Sequence, residues 1–223
     1  MRTDLVGVLR QTDLFRSVPA CELETLLASS RLRTFRRGQL VCATGDPGDT
    51  LIVVVSGQAK VVVRAADGAE LTLTVVGPGT ALGEVSVADG GPRSADVETV
   101  GEAQLLFLPR EAVLAVCGRV PSAALALTGA MAATLRRLTE TTSDLVFLDL
   151  PQRVAKMLLS QPRSEDGIIQ RHLTQEEYAR LLGSTRQSVN IALRGFERRG
   201  WIELRDRSVT VRQPAALARF AGD

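Results

Sequence analysis

The hydrophobic pattern between residues 33 and 110 consists of short β-branched runs separated by turn residues. Three of these runs cover residues 51–55, 60–63 and 71–76, and each is followed by a segment that contains glycine. Strands of this length at about ten-residue spacing are typical of an antiparallel sandwich or jelly roll. The pair Asp67-Gly68 predicts a hairpin turn between the second and third strands.

Helical patterns lie on both sides of these strands. Apolar residues three and four apart predict a short helix over residues 20–27. Residues 122–148 contain no proline and one glycine, and they predict a helix about 40 Å long. Its apolar stripe, close to a coiled-coil seam, consists of Leu127, Met131, Leu135, Leu138 and Leu145.

A helix of this length is rarely buried within one globular domain. We therefore expect the apolar stripe to pack against a second copy of the chain, which makes the protein a homodimer. The alternative is that the helix crosses the surface of its own sandwich.

The C-terminal third of the chain predicts a helix-turn-helix. A short amphipathic helix is expected at residues 152–159, and Thr174 with Glu177 forms a capping box at the start of another. Gly183 can form the turn between two helices, a small residue before it lets the helices cross closely, and an apolar residue after it anchors the second helix. The spacing of these three residues is typical of a helix-turn-helix. The residues at these two flanking positions are Ala179 and Val189.

A β-hairpin is expected directly after this motif, because residues 200–204 and 209–211 flank a turn that contains Arg205 and Arg207. A helix-turn-helix followed by a hairpin is a winged helix, a fold typical of DNA binding. The predicted fold class is thus α+β, with a β jelly roll over residues 1–119, a dimerisation helix over 120–149 and a winged helix-turn-helix over 150–223.

The distribution of charge supports this division. The net charge of the 223 residues is only +2, but residues 1–149 carry 14 basic and 17 acidic side chains and the remainder 13 and 8. The two parts have net charges of −3 and +5, as expected for a basic nucleic-acid-binding module attached to a larger acidic domain.

Composition excludes several classes of protein. No apolar run approaches the roughly 18 residues of a membrane span and the N-terminus lacks a signal-peptide core, so we expect a cytoplasmic protein without a membrane partner. Three scattered cysteines and the single histidine, His172, predict neither disulfides nor a metal site. The sequence contains no Ser-His-Asp set, metal cluster or P-loop, so no enzyme is expected.

Three motifs carry a resemblance to a known family. They are Gly45–Leu51 with Ser56-Gly57, then Gly83–Ala95, then Phe147-Leu148-Asp149 before the helix-turn-helix. Over about Leu14 to Val211 the chain resembles bacterial transcription regulators of the cyclic-AMP receptor protein and fumarate-nitrate reduction regulator (CRP/FNR) family. The resemblance implies that the jelly roll is a cyclic-nucleotide-binding domain and that Gly83–Ala95 is its phosphate-binding cassette.

The residues of the cassette suit a cyclic nucleotide. Arg93 and Ser94 offer a guanidinium and a small hydroxyl to the cyclic phosphate. Glu84 can accept a hydrogen bond from the ribose 2′-hydroxyl, and Gly83 lets backbone approach the ligand. The alternative is that Glu84 and Arg93 form an ordinary ion pair in a domain that has lost its ligand.

The resemblance also implies an effector and its base contacts. It makes cyclic AMP the expected effector and places Leu138 and Thr139 at the positions that contact adenine, where Leu138 departs from the polar residue of the family. The alternatives are another nucleotide, a constitutive regulator without a ligand, or a protein-binding scaffold that does not bind DNA.

Double-stranded DNA is the expected partner of the second helix of the motif, which begins at Thr185. Its exposed first turns should present base-contacting residues to a palindromic site with half-sites about one helical turn apart. These residues are Arg186, Gln187, Asn190 and Ile191. Arg194, Arg205 and Arg207 should contact phosphates. By resemblance, the loop at 161–167 is a candidate contact for RNA polymerase, or simply a solvated charged loop.

Overall fold

A computed structural model describes residues 4–161, 164, 166–169, 174–205 and 208–222. The chain divides into two compact units. One comprises Met1–Ala65 and Leu73–Arg137, and the other comprises Ala66–Thr72 and Leu138–Asp223. Of the residues singled out above, Arg207, His172 and part of the loop at 161–167 lie outside the described residues.

The N-terminal part of the chain is a β jelly roll flanked by helices, as the strand pattern predicted. Its elements are α1 (Leu5–Gln11), α2 (Ala20–Ala28), β1 (Arg31–Phe35), β2 (Leu40–Cys42), β3 (Thr50–Ser56), β4 (Ala59–Arg64), β5 (Glu70–Val76), β6 (Ala81–Leu82), α3 (Glu84–Asp89), β7 (Asp96–Thr99), β8 (Ala103–Pro109) and α4 (Arg110–Arg119). Within residues 4–161 the strands form two sheets, with the orders β1-β8-β3-β6 and β2-β7-β4-β5. The predicted turn is present, because Gly68 has a φ of +86° and Ala69 N–H donates to Asp67.

Strand β3 lies at the centre of this unit and explains why its sequence is a continuous apolar run. It pairs with β8 on one side and β6 on the other. Leu51, Val53 and Val55 face a core that includes residues of the flanking helices, whereas Ile52 and Val54 face the core between the sheets. A strand covered on both faces needs apolar residues at every position rather than at alternate ones.

Helix α5 (Pro121–Phe147) has 27 residues and matches the predicted long helix. Its first turns pack on the sandwich of the same chain, where Ala123 and Leu127 are buried beside Val113 and Val116 of α4. Further along, large apolar side chains are exposed. The helix therefore belongs to the jelly-roll core only at its N-terminal end.

The C-terminal part is a winged helix-turn-helix. Its elements are α6 (Leu150–Ser160), α7 (Gln175–Leu182), α8 (Arg186–Arg198), β9 (Ile202–Arg205), β10 (Ser208–Val211) and α9 (Pro214–Ala221). Thr174 and Glu177 form the predicted capping box, and Gly183 ends α7 with a φ of +58°, a left-handed conformation suited to glycine. Strands β9 and β10 pair as the predicted hairpin, and Ile168 forms a bridge to Thr210 beside it.

Helix α9 is absent from the sequence prediction. Leu217 and Ala221 of this helix are buried in the core of the second unit. The Phe220 ring meets the Phe196 ring edge to face and the Trp201 ring at a tilt. These contacts make α9 part of the folded core of the winged helix-turn-helix.

Candidate functional site

The cassette Gly83–Ala95 begins with the short helix α3, which lies between two glycines with positive φ. Gly83 (φ +85°) precedes α3, and Gly90 (φ +74°) ends it. The Ser86 hydroxyl donates to the Pro92 carbonyl at 3.1 Å, and Arg110 Nε donates to the Val87 carbonyl at 2.8 Å. These bonds fix the turn that returns the chain to Arg93.

Arg93 is the central charged group of the cassette. Its side chain is 5% exposed, and Nη2 donates to the carbonyl and hydroxyl oxygens of Thr50 at 2.7 and 2.8 Å. Nε and Nη1 are buried without a hydrogen-bond partner. A buried cation with unsatisfied donors is costly unless a ligand pairs with it. The geometry therefore fits an anionic ligand such as a cyclic phosphate.

A backbone clamp joins Arg93 to the loop that carries the first family motif. Arg93 N–H donates to the Asp46 carbonyl, and Gly45 N–H donates to the Arg93 carbonyl, both at 2.9 Å. Asp96 accepts from the Thr44 N–H at 2.6 Å and the Thr44 hydroxyl at 2.9 Å. The two motifs, far apart in sequence, thus form one structure.

The pKa of Asp96 lies below its usual value. Burial alone would raise the pKa, but the hydrogen bonds from Thr44 and the guanidinium of Arg64 outweigh it. Asp96 therefore remains ionised, and it ties the loop, the cassette and β4 together.

Gly83 and Glu84 adjoin the guanidinium at the start of α3. A Cβ atom at position 83 would collide with Arg93 Nη1, so glycine is needed for this close approach. Glu84 does not pair with Arg93; its Oε1 accepts a hydrogen bond from the Thr134 hydroxyl at 2.9 Å. Ser94 is exposed beside Arg93. The four predicted residues Gly83, Glu84, Arg93 and Ser94 thus all lie in the cassette. The alternative ion pair between Glu84 and Arg93 is not formed.

Sequence reasoning missed two residues at this site, Thr50 and Thr134. Thr50 belongs to the motif Gly45–Leu51 and directly precedes the predicted strand at 51–55, and Thr134 lies on the predicted long helix. No local spacing marks either residue as a partner of the cassette. Leu138 and Thr139, the expected base contacts, are exposed on the later part of α5. The Leu138 carbonyl accepts a hydrogen bond from the Thr142 hydroxyl.

Helix α8 presents a polar face over a buried apolar one. The Thr185 hydroxyl caps the helix by accepting from Ser188 N–H, while Val189 and Leu193 are buried. Arg186, Gln187 and Ile191 are exposed, the last at 64%. Asn190 is only half-buried, and its side chain donates to Gln175 Oε1 at 2.8 Å.

The candidate phosphate contacts are paired with carboxylates. Arg194 forms an ion pair with Glu197 at 2.7 Å, and Arg205 with Glu203 at 2.5 Å. Glu203 also binds Arg212, and hydrogen bonds from Arg212 and Arg205 hold the pKa of Glu203 below its usual value. DNA phosphates would have to compete with these carboxylates for the guanidinium groups.

The apolar stripe of α5 is only partly exposed. Leu135 and Leu145 are 66% and 48% exposed and Met131 is half-buried, whereas Leu127 is 7% exposed within the core of its own chain. Leu138 is also exposed. The surface available to a second chain therefore begins after Leu127.

Membrane-spanning helices and metal-binding clusters are both absent from the described ranges. None of the helices there is long and apolar enough to cross a membrane. Among the same residues, no cluster of three or more His, Cys, Asp or Glu side chains is arranged to hold a metal ion.

Comparison with family models assigns each half of the chain. The cyclic nucleotide-binding domain matches residues 32–119, and the Crp-like helix-turn-helix domain matches residues 152–220. The two matches cover the cassette and the winged helix described above.

Individual relatives span nearly the whole chain. The CRP-like cAMP-activated global transcriptional regulator of Mycobacterium tuberculosis (strain ATCC 25618 / H37Rv) is 37% identical over 220 residues, covering 96% of this chain and 98% of the relative. The cyclic AMP receptor protein of Thermus thermophilus is 32% identical over 213 residues, covering 96% and 98%. The structure of the c-di-GMP responsive global regulator CLP of Xanthomonas campestris has a TM-score of 0.75 and 25% identity, covering 86% of this chain and 99% of that one.

The relatives are regulators of transcription. The chain is accordingly a DNA-binding transcription regulator with a cyclic-nucleotide-binding domain, and it is not an enzyme. With 37% identity over almost its full length to the Mycobacterium regulator, and with matches to a cyclic nucleotide-binding domain and a Crp-like helix-turn-helix domain, the chain belongs to the CRP/FNR family.

Proposed function

We propose that the chain is a homodimeric regulator whose affinity for palindromic promoter DNA is controlled by cyclic AMP bound at the cassette. The observation that carries this proposal is Arg93, a buried guanidinium with two unpartnered nitrogens beside Gly83. The names of the Mycobacterium and Thermus relatives, which refer to cyclic AMP, support the choice of nucleotide.

Each part of the nucleotide has a proposed partner. Arg93 and Ser94 bind the cyclic phosphate, with Gly83 allowing close approach, and Glu84 accepts from the ribose 2′-hydroxyl. Leu138 and Thr139 contact the base, a role assigned from the family resemblance alone. In the bound state the negative phosphate satisfies the donors that Arg93 otherwise leaves unpaired.

The proposal also assigns a role to each domain and names the residues that contact each macromolecular partner. Residues 1–119 form the sensor, 120–149 the dimerisation helix and 150–223 the DNA-binding domain. Arg186, Gln187, Asn190 and Ile191, after the cap Thr185, contact bases, and Arg194, Arg205 and Arg207 contact phosphates. By resemblance to activator members of the family, the loop at 161–167 is the proposed contact for RNA polymerase. Since Asn190 is engaged by Gln175, the first turn of α8 carries more of the base recognition than Asn190 does.

Isothermal titration calorimetry tests the ligand. Cyclic AMP should bind the wild-type protein, and Arg93→Ala should weaken binding by about 3–5 kcal/mol, because the bound anion loses its buried partner. Arg31→Ala is the matched control, since Arg31 is an exposed arginine on β1 and its loss changes only the net charge. Cyclic AMP should also raise the affinity for palindromic DNA measured by fluorescence anisotropy.

A second candidate effector is cyclic di-GMP, because the Xanthomonas structure at 25% identity is described as responsive to it. The same titrations should therefore include cyclic GMP and cyclic di-GMP. Binding of cyclic di-GMP alone would replace cyclic AMP with this second candidate. Absence of heat with every nucleotide, with DNA binding intact, would show that the protein is a constitutive regulator.

A further inference from the structure

Thr134 on helix α5 contacts the cassette directly. Its hydroxyl donates to Glu84 Oε1 at 2.9 Å, and the two residues lie 50 positions apart in sequence. Both side chains are half-buried, and both belong to the first compact unit. In the proposed function, Glu84 accepts a hydrogen bond from the ribose 2′-hydroxyl.

The direction of this hydrogen bond distinguishes Thr134 from other threonines of the same helix. The hydroxyls of Thr128 and Thr142 donate to carbonyls four residues earlier, Ala124 and Leu138 respectively. That local bond is the usual choice of a threonine inside a helix. Thr134 instead uses its only hydroxyl proton on a side chain of another element.

The bond leaves Glu84 able to bind a ligand. An ionised carboxylate has two oxygens and about four acceptor sites, so a single donor at Oε1 leaves Oε2 available. A glutamate side chain also loses considerable rotamer freedom when it is fixed, and a neighbour that fixes it beforehand lowers this cost of binding. Thr134 thus restricts the orientation of the carboxylate without occupying it.

We propose that Thr134 is a positioning residue for ribose recognition, because its hydroxyl holds Glu84 with Oε2 directed to the 2′-hydroxyl of the nucleotide. The proposal rests on the proposed function, in which a ribonucleotide binds this cassette. It gives α5 a role at the sugar as well as at the base. Thr134 does not touch the ligand, so its effect should appear only for ligands that use Glu84.

Calorimetric titration with cyclic AMP and with its 2′-deoxy analogue tests this role. Thr134→Val has nearly the same shape but no donor. It should weaken cyclic AMP binding about three- to tenfold, because Glu84 must then lose its rotamer freedom on binding. Binding of the 2′-deoxy analogue should stay within about twofold of the wild type. Thr134→Ser keeps a hydroxyl and should restore the affinity for cyclic AMP.

Thr128→Val is the matched control, because it removes a hydroxyl from the same helix that bonds only its own backbone. It should leave both affinities unchanged. Equal weakening of both ligands by Thr134→Val, or no weakening of either, would overturn the positioning role while leaving the nucleotide site intact. A wild-type protein that binds neither ligand would refute the proposed effector and the role of Thr134 with it.

Discussion

Arg93 is fixed at one nitrogen by both oxygens of Thr50, because Nη2 donates to the Thr50 carbonyl at 2.7 Å and to its hydroxyl at 2.8 Å. Thr50 is the first residue of β3, the strand at the centre of the jelly roll. The position of the guanidinium is therefore set by the rigid core of the sensor. Its remaining nitrogens, Nε and Nη1, are buried without a hydrogen-bond partner, and the backbone at Gly83 lies close to Nη1.

The contact between Gly83 and Arg93 predicts a selective loss of nucleotide binding. Gly83→Ala places a methyl group against Arg93 Nη1 and should displace the guanidinium from Thr50. The positive φ of +85° adds about 1–2 kcal/mol of backbone strain. Calorimetry should detect little or no cyclic AMP binding by this variant.

Gly68→Ala provides a control with the same backbone strain. Gly68 has a φ of +86°, but a Cβ atom there would meet nothing within 4 Å. Both variants should lose the stability that corresponds to this strain in urea unfolding, and Gly83→Ala should lose more because it also displaces the guanidinium. Only Gly83→Ala should lose the ligand. Retained affinity in Gly83→Ala would show that the guanidinium can move aside and still bind phosphate.

The elements of this fold were predictable where the signal is local. Alternating or continuous apolar runs and turn glycines marked β3 to β5, and the Thr174 capping box marked α7. Helix α9 was missed because it is short, and its stability depends on packing Leu217 into a core formed by distant residues.

The partners within the site were less predictable, because they depend on tertiary contacts. The pair Arg93 and Thr50 spans 43 positions, and the motif alone could not supply it. The helical stripe identified Leu127 by periodicity, but only the packed structure shows its side chain buried in its own chain. In the same way, Asn190 has the spacing of an exposed base contact but donates to Gln175.

The hydrogen bonds of Asp96 predict a pH-dependent contribution to stability. Since the folded-state pKa is lowered, the charged form is favoured in the native state, and the contribution is present above the ordinary pKa of about 3.9. It should disappear as the pH falls through the lower native value. At pH 7, Asp96→Asn should cost about 1–3 kcal/mol.

Urea unfolding between pH 7 and pH 3 measures this contribution. The difference between wild type and Asp96→Asn should shrink toward the acid end of the range. Asp13→Asn is a suitable control, because Asp13 and its partner Arg16 are largely exposed and their pair should contribute little at any pH. A difference that stayed constant with pH would mean that the carboxylate charge does not carry the effect.

The exposed stripe of α5 predicts how the chain dimerises. Replacing Leu135 and Leu138 together by Asp should give monomers in light scattering, because each leucine removed from water contributes about 1.5–3 kcal/mol. Leu125→Asp is the control, since Leu125 is 74% exposed on the same helix but outside the stripe. Leu127→Asp should instead unfold the sensor, because it buries a charge in the core. A dimeric double variant would exclude this interface.

The exposed first turn of α8 predicts a division between base and phosphate contacts. Arg186 is exposed next to the Thr185 cap and can make a bidentate contact with guanine O6 and N7. Arg186→Ala should therefore cost about 1–3 kcal/mol and relax the preference at one base pair in each half-site. Arg205→Ala should weaken binding to all sequences alike and lower the salt dependence, because phosphate contacts carry no sequence information.

Selection from a random DNA library by the wild type and both variants separates these effects. The motif enriched by Arg205→Ala should match that of the wild type, whereas Arg186→Ala should lose one conserved position per half-site. Asn190→Ala should change the motif less than Arg186→Ala does, because the Asn190 side chain is engaged by Gln175. An unchanged motif for Arg186→Ala would mean that α8 does not recognise bases through its first turn.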